Sequence, residues 1–348
     1  HVASLIGARP SEIVFTSGGT ESDNAALYGL VADARARGSA RNHLVVSAVE
    51  HEAVGKIVNR LCIDFDCTVT VVPCDENGVI YPDAVAAAIT ERTCVVSVMH
   101  ANNQTGVVQP IGNIAEVCGT RGVPFHTDAV QSAGKVPLDV REIGCSLMSL
   151  SAHKMFGPKG VGALFVRRGI ALPPSQVGGG QEQNRRAGTE NVAAIVGFGA
   201  AAASTARDME SRNTHIATLR DELERRICES IPDVVVNGGG VQRLPNTLNV
   251  SFVGVTSPDM VMALDLEGVA VSGGAACSSG THQPSGVLLA MGYSEALASG
   301  AVRFSLGYQT TRDEIDRVME ILPRIVGRLR ATDDANASNN AESEVASV

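Results

Sequence analysis

Only four lysines occur in this 348-residue chain, at positions 56, 135, 154 and 159, so any amine chemistry has few candidates. Lys154 stands out by its setting, Ser151-Ala152-His153-Lys154-Met155-Phe156-Gly157-Pro158-Lys159-Gly160, which directly follows an apolar run. A lysine just past a strand end, in a partly desolvated pocket, has a lowered pKa and can form a Schiff base with a carbonyl. Ser151 and His153 beside it are donors for an anion. Taken alone, the segment reads more readily as a surface lysine in a turn. Upstream, Thr16-Ser17-Gly18-Gly19-Thr20-Glu21 joins a β-branched run to a helical one. N–H groups at a helix start carry partial positive charge, and glycines let a phosphate come close, although a plain capped helix has the same signature. Asp128, in Phe125-His126-Thr127-Asp128-Ala129-Val130-Gln131, falls at the carboxyl end of an apolar strand, where open α/β sheets bind ligands. His51 ends the similar run Ala48-Val49-Glu50-His51 and offers a ring that can stack on another.

Each of these residues has a bland reading as a cap or a turn. Together they form a set: a phosphate cradle, a lysine, an acid and a stacking ring at successive strand ends. Pyridoxal phosphate requires such a set, the acid pairing with the ring nitrogen so that the ring remains an electron sink.

The eight cysteines include no C-x-x-C pair and no zinc-like spacing with histidine. Most sit among apolar residues and read as small buried hydrophobes. Cys277 differs, because Ser272-Gly273-Gly274-Ala275-Ala276-Cys277-Ser278-Ser279-Gly280 reads as a loop of small and polar residues in which a thiol is reachable by a partner. Without a signal-peptide pattern the thiols are expected to be reduced, in a cytoplasmic protein.

The elements that must position these residues follow from the patterning. Strands are expected at 12–16, 43–47, 69–72, 94–99, 124–126, 147–150 and 162–166, with helices at 21–36, 52–61, 82–88 and 111–121 between them. This alternation predicts parallel pairing with helices on both faces. From residue 178 the texture changes: a polar Gly-rich loop, helix over 192–231, then strands at 234–237, 247–252, 269–271 and 302–306 with helices at 260–266 and 313–329. The domains expected are 1–204, a large α/β cofactor domain, and 205–330, a smaller α+β domain carrying the Cys277 loop. Residues 331–348 are expected to be a disordered acidic tail, whose four acids supply nearly half of the net charge of −9. That acidity gives no footprint for nucleic acid, and no apolar run reaches the roughly 18 residues of a membrane span. The chain opens at His1 without Met, and HVASLIGARP reads as the end of a helix already under way.

The motifs FTSGGTESDN, VEHEAV, MHANNQTGVVQPI, HTDAVQSAGK, SAHKMFGPKGVGAL, RRAGTEN, SGGAACSSG and VRFSLG occur in this order between residue 1 and about residue 330. In them the chain closely resembles the cysteine desulfurases, pyridoxal-phosphate enzymes of the fold type I, class V aminotransferase group. The resemblance implies an α/β fold with a mainly parallel sheet in the large domain. It implies that Lys154 carries the cofactor, Asp128 pairs with its ring nitrogen, Gln131 bonds the ring hydroxyl and His51 stacks on the ring. Asn103 is implied near that hydroxyl and the substrate. Gly19, Thr20, Ser151 and His153 are implied to hold the phosphate, with Thr189 given by the partner subunit of a homodimer. Arg303 is implied to grip the substrate carboxylate, a task suited to a planar fork of donors.

The reaction implied is L-cysteine to L-alanine, with sulfur left as a persulfide on Cys277 and passed to an acceptor protein. The long loop around Cys277 resembles the subgroup that serves iron–sulfur cluster assembly and tRNA thiolation. The chain departs from the family at Gly19, often Ala there, at Gln104, often Glu, and in the flank of Cys277. It also lacks the family's N-terminal segment, with its ATTP-like motif and a substrate-binding Asn. Two rival readings follow: a selenocysteine lyase or related sulfur lyase of the same fold, or an inactive truncated fragment acting as a binding subunit.

Overall fold

The computed structural model describes residues 1–273 and 284–345, the stretch 333–345 by backbone alone. The chain divides into two compact units. The first comprises residues 1–75, 79–103 and 107–209, the second 76–78, 104–106 and 210–348. The division falls at Met209/Glu210, inside one uninterrupted helix, Val192–Ser230, against the expected 204/205.

The first unit is built on strands β1 (Ile13–Thr16), β2 (His43–Ser47), β3 (Thr68–Val72), β4 (Thr93–Ser97), β5 (Phe125–Asp128), β6 (Leu147–Ser151) and β7 (Gly162–Val166). Their order is β1-β7-β6-β5-β4-β2-β3. Pairing is parallel from β6 through β5, β4 and β2 to β3. Strands β2, β4, β5, β6 and β7 are buried along their whole length, which is why they read as continuous apolar runs rather than alternating ones. Strand β3 is the exposed edge. One core packs Leu27, Leu30 and Val31 of the helix Gly19–Ala36 and Val54, Val58 and Leu61 of the helix Glu52–Phe65 with Leu44, Leu147 and Leu164 of the sheet.

Strand β7 departs from the expected parallel pairing, running antiparallel to both β6 and β1. A parallel return needs a crossover of a dozen residues or more, and the link from β6 holds one short 3-10 turn, Ala152–Met155. Because β7 reverses direction between them, β1 and β6 run the same way. The carboxyl ends of β1, β2, β4, β5 and β6 therefore lie along one edge of the sheet.

The second unit carries β8 (Val234–Val236), β9 (Thr247–Phe252), β10 (Ser272–Gly273) and β11 (Ala301–Ser305) in the antiparallel order β10-β11-β9-β8. Its core joins Leu223 and Ile227 to Val250, Phe252, Leu264, Val302 and Ile321. The strand expected at 269–271 lies instead at Ser272–Gly273, where pairing with Arg303 and Val302 is available; Val269 and Val271 pack against the core outside any strand. Residues 331–345 of the expected tail are helical in backbone. The last helix runs Arg312–Val345 through that stretch, whose alanines and glutamates favour helix and which contains no Gly or Pro. Among the described residues no helix is long and apolar enough to cross a membrane.

Candidate active site

Along one edge of the seven-stranded sheet, the ends of β1, β2, β4, β5 and β6 carry the expected residues. After β1 comes Gly18, with φ of 159° and ψ of −176°, a conformation open to glycine, leading into the helix Gly19–Ala36. That helix start has no side-chain cap, which leaves the first-turn N–H groups at Gly19 and Thr20 available to an anion. A Cβ on Gly162 of β7 would stand 2.6 Å from the Gly18 Cα and from the Leu150 carbonyl oxygen, so the backbone turn is pressed directly onto the sheet. A Cβ on Gly19 would stand 2.5 Å from Cγ2 of Val130, which ties the glycine found here to its valine neighbour.

After β6, Ser151 Oγ lies 2.8 Å from His153 Nδ1, and Lys154 follows in the 3-10 turn, half-buried. Partial burial and then Lys154, Lys159 and Lys135 push the His153 ring below its usual range. It is therefore a neutral donor or acceptor at neutral pH.

After β2, His51 caps the helix Glu52–Phe65, its Nδ1 accepting the Ala53 N–H at 3.1 Å. That bond leaves Nε2 as the protonated nitrogen of the neutral ring. Asn103 follows β4 and is half-buried.

Asp128 ends β5, buried, with Oδ1 accepting the Val130 N–H at 2.8 Å. Burial raises its pKa, opposed by that N–H, His51 and Lys154. Asp23, 1 % exposed on the helix Gly19–Ala36, lies in the same cluster. Burial and then the Asp128 charge push it well above the carboxylate range, with a Ser149 hydroxyl as the opposing partner. Two buried carboxyls this close cannot both ionise, and Asp128 has the donors and cations. We assign the charge to Asp128 and the proton to Asp23. His126, bonded at 2.9 and 3.0 Å to Ser97 and Ser149, is pushed by burial to about 3 and stays neutral. Its 3.6 Å approach to Asp23 Oδ1 thus joins two neutral groups. Gln131 lies in the turn after Asp128, its carbonyl accepting from Lys135 at 2.6 Å.

Thr189 is exposed and lines a cavity of about 240 Å³ together with Ser17, Glu182 and Arg186. Arg186 donates to Glu21 at 2.8 Å, and Glu21 accepts the Ser17 N–H at 2.7 Å. Burial works to raise the Glu21 pKa, but Arg186 and Ser17 outweigh it and hold the carboxylate ionised. Arg186 and Glu21 stand in the RRAGTEN and FTSGGTESDN motifs without an assigned role. So does Glu50 in VEHEAV. The signal for them lay in those motifs, but the pairing of residues 165 apart was not legible there.

Arg303 lies on β11 of the second unit, opposite Asn249 and Ser272. Cys277 falls outside the described residues.

The donor set fits pyridoxal phosphate: an uncapped helix start for its phosphate, a buried anionic carboxylate for its ring nitrogen, and one lysine on the same edge. The profile of the aminotransferase class-V family matches residues 1–318. Cysteine desulfurase IscS of Dictyoglomus turgidum is 42% identical over 330 residues, covering 94% of this chain and 82% of that one. The chain belongs to the cysteine desulfurases of the class-V aminotransferase family. Members of this family are pyridoxal-phosphate-dependent enzymes. Among solved structures a NifS-like protein superposes with a TM-score of 0.85 at 32% identity, covering 94% of this chain and 85% of that one. SspA, solved in complex with cysteine, does so at 0.75 and 35%, covering 89% and 85%.

Proposed function

We propose that this desulfurase converts L-cysteine to L-alanine and delivers the sulfur as a persulfide on Cys277. The observation that carries the reading is the single sheet edge on which Lys154, Asp128, His51 and the uncapped Gly19 helix start converge. The bound cofactor supplies an electron sink for the substrate Cα. Gly19, Thr20, Ser151 and His153 would hold its phosphate, Asp128 would keep its ring nitrogen protonated, Gln131 would bond the ring hydroxyl with Asn103 near that hydroxyl and the substrate, and His51 would stack on the ring. The Lys154 amine removes the proton at the substrate Cα. Arg303 binds the substrate carboxylate. The Cys277 thiolate attacks the substrate sulfur, so that a sulfur–sulfur bond forms as the Cβ–sulfur bond breaks. Alanine leaves and the persulfide remains for an acceptor.

The cysteine held by the related SspA supports the substrate. The acceptor is an iron–sulfur scaffold or a tRNA-thiolation protein, the tasks served by the long-loop relatives. A homodimer, with Thr189 reaching the partner's phosphate site, is supported by the exposure of Phe156, Val177, Val192 and Val196 on the first unit. Seven free thiols among the described residues support a reducing compartment, the cytoplasm.

The test is a visible spectrum with added pyridoxal phosphate, followed by assay of alanine and sulfide from L-cysteine with a reductant. Lys154→Ala is expected to abolish the visible band. Cys277→Ala is expected to keep the band and lose sulfur release. Undiminished sulfur release from Cys277→Ala would remove the nucleophile from this scheme.

A further inference from the structure

Glu50 stands one residue before His51, and no step above uses it. Its Oε1 accepts the Met99 N–H at 2.7 Å and the Ser47 hydroxyl at 2.5 Å. From the same segment as Met99, Asn102 donates to the Val49 carbonyl at 3.0 Å. Two bonds, both donated from the segment after β4, therefore stitch the turn that ends in Asn103 to the turn after β2, which ends in His51. The second turn is fastened onward, because the His100 N–H donates to the Asp128 carbonyl at 2.8 Å. Glu50 Oε2 is buried and has no hydrogen-bond partner among the described residues.

We propose that Glu50 is a positioning residue: its carboxyl fastens the two strand-end turns together and thereby sets His51 and Asn103 against the cofactor. This rests on the pyridoxal-phosphate reading of the site.

The stitch works with the carboxyl neutral. Oε1 acts as a carbonyl-type acceptor, and the proton belongs on Oε2. Facing it are the carboxylate of Asp128 at the end of β5 and the carboxyl of Asp23 on the helix Gly19–Ala36. His51 and Lys154 bear on the same cluster through Asp128. Burial, and to a smaller degree Asp128, raise the Glu50 pKa to about 8, with Ser47 and Met99 as opposing partners. A glutamine is thus the close mimic of the working side chain, and an alanine is the deletion.

The full chain is compared as wild type, Glu50→Gln and Glu50→Ala, with and without added pyridoxal phosphate. Glu50→Ala is expected to change the induced circular dichroism of the bound cofactor and raise its dissociation constant about tenfold. Glu50→Gln is expected to keep both within about twofold of wild type. Melting is followed from pH 5 to 9. The folded pKa lies above the unfolded value, so wild-type stability tied to this group is lost as pH rises from about 4.5 to about 8. The melting temperature of Glu50→Gln relative to wild type should therefore climb with pH over that window, with or without cofactor. Unchanged dichroism and affinity in Glu50→Ala, beside a wild type that shows both, would overturn the positioning role. A pH-independent melting difference would overturn the neutral carboxyl. A wild type that develops no visible band would instead overturn the underlying reading of the site, whatever the melting curves show.

Discussion

Asp128 has to keep a negative charge in a place that resists one. It is buried, and its pKa is raised by that burial; the Val130 N–H, His51 and Lys154 favour the ion. Asp23 and Glu50 lie close by and are pushed up by the same burial. Their protons are what leave Asp128 as the one anion of the cluster. Asp128→Asn keeps the shape and removes the charge. Alanine production should fall on the order of a hundredfold or more. Thermal stability should hold or rise, because an ion in a buried site is removed, and a melting curve run beside the alanine assay separates the two effects. At this scale the sequence was most informative. Lys154, His51 and Asp128 each carry a residue type with few other uses at a strand end. Asp23 and Glu50 gave no such signal, since a carboxyl becomes a proton holder only through neighbours on other strands.

Element by element, the phosphate turn depends on close backbone approach more than on side chains. Gly18 needs its glycine-only backbone, and Gly162 of β7 leaves room for it. Gly162→Ala would bring a Cβ to 2.6 Å from main-chain atoms on both sides, and neither a strand backbone nor the turn can move away cheaply. We expect that variant to lose at least tenfold in affinity for pyridoxal phosphate, measured by titrating the visible band. Gly55→Ala, where a Cβ meets nothing within 4 Å, is the control and should not weaken binding. The direction of β7 shows why such a contact was not legible in the sequence. Alternating strands and helices predict parallel pairing, and only the missing crossover helix after β6 reverses the strand. The helix Val192–Ser230 was legible as one or two long helices, since it holds no Pro; that Gly197 and Gly199 do not interrupt it was decided by the fold.

Across the whole molecule, buried titratable groups set opposing slopes of stability with pH. Burial depresses His100 to about 4 and His126 to about 3, below the ordinary 6.5. Groups with depressed folded pKa values contribute fully above about pH 6.5, and that stability is lost as the pH falls through the window down to about 3. Asp23 and Glu50 have raised values and act the other way, losing stability as pH rises. The melting temperature should therefore pass through a maximum, with both limbs traceable to named side chains. His126→Gln keeps a hydrogen-bonding amide between Ser97 and Ser149 without a titrating ring. It should flatten the acid limb of a melting-temperature profile and leave the alkaline limb alone.

By itself the sequence determined the class of fold, nearly every strand and the longer helices, and it singled out a short set of candidate residues for a cofactor. Those features are local: a continuous apolar run buries both faces of a strand, a glycine turn opens a helix start, and a lone lysine among donors has few rivals. Tertiary structure decided the reversal of β7 and the charge state of each buried acid. It also decided that Glu50 meets Met99, 49 residues away, and that Arg186 meets Glu21, 165 residues away. Desolvation and hydrogen bonding act through space, so a residue's proton and partner are fixed only once the strands have been set side by side.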